Sequence, residues 1–155
     1  MVTYQASIDS PLGPITLTSD GHSLTHIDIG TKVVNSSPDA VIETASRQLD
    51  EYFAGTRKHF DLPLSVSGTP FQESIWSALQ AIPHGETISY GELGRSVGKP
   101  GSARAVGGAV GANPLPIVIP CHRVLASNSA ITGYSGGDGI PTKQKLLALE
   151  NINYR

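Results

Sequence analysis

The chain has 155 residues, of which 39% are hydrophobic and 15% charged, and its formal net charge is −2 at pH 7. This composition is that of a globular protein with one domain or two small ones, and it excludes a fibrous or disordered chain. No apolar run approaches the roughly 18 residues of a membrane span, and the N-terminus lacks the features of a secretory signal, so the sequence predicts a cytoplasmic protein that makes no membrane contact.

The charge is divided unevenly along the chain. Residues 1–68 carry four Lys and Arg against eight Asp and Glu, whereas residues 69–155 carry seven against five. The net charge is therefore −4 in the first segment and +2 in the second. A negative total argues against a strongly basic nucleic-acid binder, but the positive field that does exist lies in the C-terminal half.

The first segment predicts a small β-sheet followed by one helix. Residues 3–29 alternate strand-like runs with two turn-forming clusters, SPLGP and SDGHS, which indicates a hairpin or meander. Residues 37–56 then read as an amphipathic helix that stops at Gly55. Its predicted apolar positions, at a spacing of four, are Val41, Ala45, Leu49 and Phe53. The Ser-Gly-Thr-Pro stretch that follows marks the boundary between an N-terminal subdomain, 1–68, and a C-terminal subdomain, 69–155.

From residue 69 the pattern changes to short helices. Thr69 is placed as the N-cap of the first, Ser89 of the second and Ser102 of the third. The predicted apolar face of the first helix consists of Phe71, Ile75, Ala78, Leu79 and Ile82. The second and third helices are joined by a tight Gly-containing turn, which is typical of a helix-turn-helix whose second helix faces nucleic acid.

The third helix contains Gly107, Gly108 and Gly111, each of which costs about 1 kcal/mol relative to alanine inside a helix. Two interpretations fit a helix face with almost no side chains. The face packs tightly against another helix, or it lies as a smooth ridge in a narrow groove, with Arg104 as the one long side chain able to enter that groove.

The remaining elements surround the single cysteine. Ile117–Ile119 predict a buried strand that leads through Pro120 to Cys121. A loop rich in Gly and Ser follows, with Tyr134 as its only large side chain. A last helix from residue 141 is expected to turn four apolar side chains inward and to carry Glu150 near its end; these apolar residues are Leu146, Leu147, Leu149 and Ile152.

Cys121 has two interpretations, a small buried hydrophobe or a reactive thiol. Pro120 favours a thiol that faces a turn, and His122 and Arg123 are expected to lower its pKa through their positive charge. His122 can reach the sulfur only through a turn or a bridging water, because neighbouring residues on a strand point to opposite faces. Glu150 is either the group that orients His122 or a solvated helix-end charge.

Metal and disulfide chemistry are not expected. One cysteine forms no internal disulfide and supplies no cluster of thiolates for zinc. His22 and His26 have helical ligand spacing, but they lie in a strand-like segment where surface histidines are the more typical interpretation. The sequence therefore predicts no metal and no cofactor.

Several ordered motifs closely resemble the O6-alkylguanine-DNA alkyltransferases, also called methylated-DNA–protein-cysteine methyltransferases. They are SYGEL at 89–93, ARAVGGAVGANP at 103–114 and PCHRV at 120–124, supported by FQESIW and GYSGG. The resemblance implies an α/β (α+β) fold class: an N-terminal subdomain of a small β-sheet and a helix, and a C-terminal helical, winged-helix or helix-turn-helix subdomain that carries the active-site cysteine. Some relatives hold zinc in the N-terminal part, but this sequence has no cysteine there.

The resemblance also implies a role for individual residues. Cys121 accepts the alkyl group, His122 and Glu150 deprotonate it through a water, and Asn113 joins their hydrogen-bond network. Arg104 fills the base stack when the damaged nucleotide rotates out, and Tyr90 assists extrusion and contacts the guanine. The other residues expected to contact the flipped base or the DNA are Tyr134, Ser135, Val124, Ser102, Ala103, Lys99 and Ser127.

The expected partner is double-stranded DNA that contains O6-alkylguanine, bound by a monomer or by monomers that cluster cooperatively. Transfer is expected once per molecule, because a thioether is not reversed by thiol exchange and the chain has no second cysteine. The alternatives are a DNA-binding module that recognises or senses alkylation without catalysis, and a hydrolytic thiol enzyme. The sequence leaves open the choice between methyl and bulkier adducts and activity on O4-alkylthymine.

Overall fold

Three antiparallel strands form the first sheet of the computed structural model, which describes residues 3–155. They are β1 (Tyr4–Ile8), β2 (Ile15–Ser19) and β3 (Leu24–Ile29), in the order β1-β2-β3. Leu17, at the centre of β2, pairs with Ala6 on one side and with Ile27 on the other. The predicted meander is therefore confirmed, with its central strand buried along its whole length.

Helix α1 (Ala40–Phe53) packs against this sheet. Asp39 caps it, because its side chain accepts a hydrogen bond from the backbone N–H of Ile42 at 2.9 Å. The predicted apolar stripe is wrong at its two ends, since Val41 and Phe53 are only half-buried. A helix has 3.6 residues per turn, so a strict spacing of four drifts off the buried face. The buried side chains are Ile42, Ala45, Gln48, Leu49 and Tyr52.

The chain divides into one unit that ends at Val66 and a second from Ser67 to Arg155. The elements of the second unit are α2 (Pro70–Gln80), β4 (Ile88–Ser89), α3 (Tyr90–Ser96), α4 (Ala103–Gly111), a 3-10 turn (Cys121–Arg123), β5 (Val124–Leu125) and α5 (Ile140–Leu149). The short strands β4 and β5 pair in parallel. The predicted fold class is confirmed: a small sheet with a helix, followed by a mainly helical unit.

Local capping sets the starts of α2 and α3. Thr69 and Gln72 bond reciprocally across the first turn of α2, and Ser89 and Glu92 do the same in α3. Ser102 occupies the N-cap position of α4, but its predicted capping role is wrong. Its hydroxyl turns back and donates to the carbonyl of Lys99 instead of accepting an N–H of the helix.

Two contacts fix α4 against its neighbours. The indole N–H of Trp76 in α2 donates to the carbonyl of Ala109 at 2.8 Å. Gly94 in α3 lies so close to the turn before α4 that an added Cβ would be 2.9 Å from the Lys99 carbonyl oxygen. Any side chain at Gly94 would therefore push the two helices apart.

Helix α5 differs from its predicted pattern. Leu146, Leu147 and Ile152 are buried as expected, but Leu149 is only half-buried. The side chain of Lys143 takes a fully buried place on the same helix, with 1% of its surface exposed. Within residues 3–155, no helix is long and apolar enough to cross a membrane.

Candidate active site

The approach to the cysteine is a tight turn, so the predicted strand at Ile117–Ile119 is wrong. The backbone N–H of Ile119 donates to the carbonyl of Leu115 at 2.8 Å, and Ile117 has a φ of +76°, which is rare for a β-branched residue. All three side chains of this run are buried. The run is apolar because the turn is enclosed by the core, and a short apolar run alone does not distinguish that from a strand.

Asn113 holds this turn at both ends. Its side-chain amide donates to the carbonyl of Ile119 at 2.8 Å, and its side-chain oxygen accepts the backbone N–H of Leu115 at 3.0 Å. These two bonds satisfy the backbone N–H of Leu115 and the carbonyl of Ile119. The position of Cys121, two residues after Ile119, therefore depends on Asn113.

Cys121 opens a 3-10 turn that sends successive side chains in different directions. Cys121 lines a cavity of about 650 Å³, a volume within the range of about 300–1,000 Å³ typical of small-molecule sites. His122 is completely buried, as is most of Arg123. The turn thus separates one side chain that meets the cavity from two that point into the protein.

His122 and Arg123 both bind Glu150. The His122 Nε2 atom lies 2.6 Å from Glu150 Oε2, and Arg123 donates to both carboxylate oxygens, from Nε at 2.8 Å and from Nη2 at 3.1 Å. The backbone N–H of Gly85 adds a bond of 3.1 Å. With 3% of its surface exposed, Glu150 is not a solvated helix-end charge, and that alternative is wrong.

This network selects one tautomer of His122. A carboxylate only accepts hydrogen bonds, so Nε2 must carry the proton and Nδ1 keeps its lone pair. Burial lowers the pKa of His122, against the opposing effect of Glu150, so the ring is neutral at pH 7. His122 Nδ1 has no hydrogen-bond partner among the residues that the structure describes. His122 is therefore a buried base whose free acceptor atom is oriented by Glu150.

The predicted source of positive charge at the thiol is wrong. Arg123 is directed into its ion pair with Glu150, and His122 is neutral. Burial raises the pKa of the Cys121 thiol, while Asn113, Tyr134 and the charge of Lys143 oppose that rise. The positive charge that opposes this rise in pKa is that of Lys143, twenty-two positions along the chain, which sequence reasoning did not identify.

The cavity brings together six of the predicted site residues. They are Tyr90, Ala103, Arg104, Cys121, Tyr134 and Ser135. Tyr90 is held by a bond of 2.8 Å between its hydroxyl and that of Thr132, and Ser135 donates to the carbonyl of Gly111 at 2.8 Å. The Gly- and Ser-rich loop is therefore a wall of the cavity as well as a connection.

Other predicted residues lie outside the cavity lining. Val124 is buried, and its carbonyl accepts a hydrogen bond from Lys143. Lys99 and Ser127 are exposed, and Ser102 is half-buried beside the turn between α3 and α4. Thr132 and Val110 line the cavity but were missed, because neither residue type carries a sequence signal for a binding wall.

The glycine face of α4 is open. A Cβ atom placed at Gly107, Gly108 or Gly111 would meet no heavy atom within 4 Å among the described residues. The interpretation of this face as a tight helix-packing surface is therefore wrong. Arg104 is exposed at the start of the same helix. The arrangement is a smooth ridge, one long cationic side chain and an adjoining cavity that contains a thiol.

Both units of the chain match models of one protein family. Residues 70–152 match the DNA-binding domain of 6-O-methylguanine DNA methyltransferase, and residues 3–66 match its ribonuclease-like domain. In sequence, the chain is 44% identical to the methylated-DNA–protein-cysteine methyltransferase of Methanosarcina acetivorans, over 95% of this chain and 97% of the relative. It is 46% identical to the Mycobacterium tuberculosis protein of the same name, over 97% and 93%.

Solved structures show the same similarity. The crystal structure of the Mycobacterium tuberculosis O6-methylguanine methyltransferase superposes with a TM-score of 0.86 at 44% identity, covering 96% of this chain and 93% of that one. A crystal structure of Mycobacterium tuberculosis OGT in complex with DNA gives a TM-score of 0.86 at 47% identity, covering 94% and 91%. The similarity therefore extends over both units.

Proposed function

Since the chain belongs to the 6-O-methylguanine DNA methyltransferase family, we propose that it repairs DNA by moving the alkyl group from O6 of guanine to the sulfur of Cys121. The activity is that of a methylated-DNA–protein-cysteine methyltransferase, used once per molecule. One observation carries the assignment of residues. The only thiol of the chain borders a cavity beside a smooth helix, with the buried pair His122–Glu150 behind it.

The alkylated guanine reaches the thiol by leaving the duplex. An atom inside stacked DNA is out of reach of a side chain, and extrusion of a nucleotide costs a few kcal/mol, less for a poorly paired base. The bare face of α4 allows the helix to lie in the minor groove of double-stranded DNA. Arg104 then fills the gap in the stack, while Tyr90 and Tyr134 contact the extruded base in the cavity.

The chemical step is a displacement at the alkyl carbon. The thiol proton of Cys121 passes to Nδ1 of His122, directly or through one water, and Glu150 stabilises the imidazolium that forms. The S–C bond forms as the C–O6 bond breaks, and the electron pair of that bond goes to O6. The leaving guanine takes up a proton from water and the imidazolium of His122 returns its proton to water, so the products are guanine in DNA, a neutral thioether on the protein and neutral His122.

A labelled substrate tests this function. A duplex with one O6-methylguanine that carries the label in its methyl group is mixed with the protein, which we expect to act as a monomer. Transfer predicts label on the protein, up to one methyl group per chain. A labelled small product in solution would indicate a hydrolytic thiol enzyme, and binding without movement of the label would indicate a DNA-binding module.

Replacement of Arg104 by alanine is expected to slow transfer from duplex DNA by about 10- to 100-fold. No side chain then fills the gap that the extruded nucleotide leaves in the base stack, so extrusion costs more free energy. Transfer from a single strand that carries the same lesion should change little, since it contains no paired stack to fill. Single-turnover rates on both substrates measure the effect. Arg47→Ala, an exposed arginine on α1, is the control. Equal losses on both substrates would contradict the role given to Arg104.

A further inference from the structure

Two side-chain hydroxyls meet at the wall of the cavity. The hydroxyl of Tyr90, the first residue of α3, lies 2.8 Å from the hydroxyl of Thr132, which is 42 positions further along the chain. Both residues line the cavity that Cys121 also lines. In the described part of the chain, the Thr132 side chain forms no other hydrogen bond. The pair therefore joins the start of α3 to the loop that follows β5.

The backbone of Tyr90 is fixed relative to the turn that carries the cysteine. Strand β4 ends at Ser89 and pairs with β5, which begins directly after the 3-10 turn of Cys121. Ser89 also caps α3 through its side chain. The start of α3 and the cysteine turn are thus held together by backbone hydrogen bonds, and the end of the Tyr90 side chain is held by Thr132.

Thr132 lies in a segment, residues 126–139, that contains no helix or strand. Before it, the backbone N–H of Ile131 donates to the carbonyl of Arg155 at 3.2 Å. After it, the hydroxyl of Ser135 donates to the carbonyl of the last residue of α4 at 2.8 Å. The bond between Thr132 and α3 therefore holds this wall of the cavity between its two other attachments.

A pair of hydroxyls keeps one proton for a ligand. Each hydroxyl has one proton to donate and two lone pairs, so the bond between Tyr90 and Thr132 uses one proton and leaves the other. The hydroxyl of Ser135, in contrast, has donated its proton to α4. The pair therefore retains a hydrogen-bond donor for a group that enters the cavity.

An O6-alkylated guanine presents mainly acceptors to such a wall. Alkylation at O6 removes the proton from N1, so the ring nitrogens and O6 accept hydrogen bonds, and the exocyclic amine is the donor. Contact of Tyr90 with any of these acceptors needs the phenol proton, which Tyr90 keeps only if Thr132 donates within the pair. We propose that Thr132 is a positioning residue for methyl transfer: it donates to the Tyr90 oxygen and so leaves the phenol proton to the extruded base.

This inference rests on the proposed function, which gives Tyr90 its contact with the base. The chain of two hydroxyls strengthens that contact, because a hydroxyl that accepts one hydrogen bond is polarised and donates a stronger second one. The pair also orders the Tyr90 side chain before a base arrives, so less conformational freedom is lost when the base binds. One neutral hydrogen bond of this kind corresponds to about 3- to 10-fold in rate.

A double-mutant cycle tests whether Thr132 acts through Tyr90. Thr132→Val removes the hydroxyl and keeps a branched side chain of similar size, and Tyr90→Phe removes the phenol hydroxyl. The cycle consists of the wild type, these two variants and the double variant. Thr132→Ser retains the hydroxyl and serves as the rescue. Thr87→Val, at an exposed position of the same unit, is the matched control.

We expect Thr132→Val to lower the maximal single-turnover rate on an O6-methylguanine duplex by about 3- to 10-fold, at an unchanged half-saturating DNA concentration. The Thr132→Ser and Thr87→Val proteins should react at close to the wild-type rate. In the Tyr90→Phe protein, Thr132→Val should cause no further loss, because the hydroxyl that Thr132 binds is already absent. An equal loss in both backgrounds, no loss in either, or a serine variant as slow as the valine variant would overturn the proposal.

Amide hydrogen exchange tests the pair without DNA. The backbone N–H of Ile131 should exchange about 3- to 10-fold faster in Thr132→Val and in Tyr90→Phe, and no faster in the double variant, since either change releases the same bond. Exchange at the wild-type rate in both single variants would overturn the proposal. If the wild type transfers no methyl group, the proposed function fails, and the exchange rates still decide whether Thr132 holds Tyr90 against the loop.

Discussion

Cys121→Ser is expected to reduce methyl transfer from a duplex by about four orders of magnitude or more, because a serine hydroxyl is a far weaker nucleophile than a thiolate. The change removes the reacting atom but leaves the ridge of α4, Arg104 and the cavity in place. Single-turnover assays with the O6-methylguanine duplex measure the loss.

Binding of the same duplex provides the internal control for this variant. The surfaces assigned to DNA do not include the sulfur, so the dissociation constant should stay within a few-fold of that of the wild type. Transfer by the serine variant at a rate close to wild type would show that another group accepts the methyl. Loss of binding together with transfer would mean that Cys121 is needed for the fold.

Glu150→Gln is expected to destabilise the protein by about 3–5 kcal/mol, because the buried guanidinium of Arg123 then lacks its counter-charge. The substituted side chain has nearly the same shape, so the loss reports charge and hydrogen bonding instead of packing. The amide of glutamine can donate as well as accept a hydrogen bond, so it no longer selects the tautomer of His122 that carries the proton on Nε2. Equilibrium denaturation measures the change in the free energy of unfolding.

Glu86→Gln is the matched control for this second prediction. Glu86 is exposed on the same unit, and substitutions at such positions change stability by about 0.5 kcal/mol or less. A Glu150 variant as stable as this control would contradict the assignment of Glu150 as the counter-charge of Arg123. In that case, the geometry of His122 would have to depend on other contacts.

Local features of the fold could be predicted because their causes are local. The starts of α2 and α3 follow from Thr69 and Ser89, each with a partner three residues later that completes a capping box. The meander follows from turn-forming clusters between short alternating runs. In these cases, neighbouring residues alone determine the backbone conformation.

The geometry of the site could not be predicted in the same way, because it depends on contacts between residues that are far apart in the sequence. Glu150 meets His122 across 28 positions and directs Arg123 away from the thiol. Spacing alone left the role of Glu150 open and assigned the wrong cation to Cys121. The apolar run Ile117–Ile119 predicts a strand but forms a turn, because burial on all sides gives an apolar run in both structures.

The burial of Lys143 had no sequence signal at all. In the pattern of α5 it occupies a place where a charged side chain is normally solvated. The glycine face of α4, in contrast, has a clear sequence signal, because three glycines in a short helix are unusual. That signal fits two interpretations, helix packing and an open ridge. The open space around Gly107, Gly108 and Gly111 excludes the packing interpretation.

The most direct test of the account is the intact mass of the protein after incubation with an excess of duplex that carries one O6-methylguanine. The account predicts a gain of one methylene per chain, located on Cys121 by peptide mapping and absent from Cys121→Ala, with no further gain as DNA is added. An unchanged mass, with DNA binding intact, would contradict alkyl transfer. It would instead make the protein a module that binds damaged DNA, with Cys121 as a structural residue.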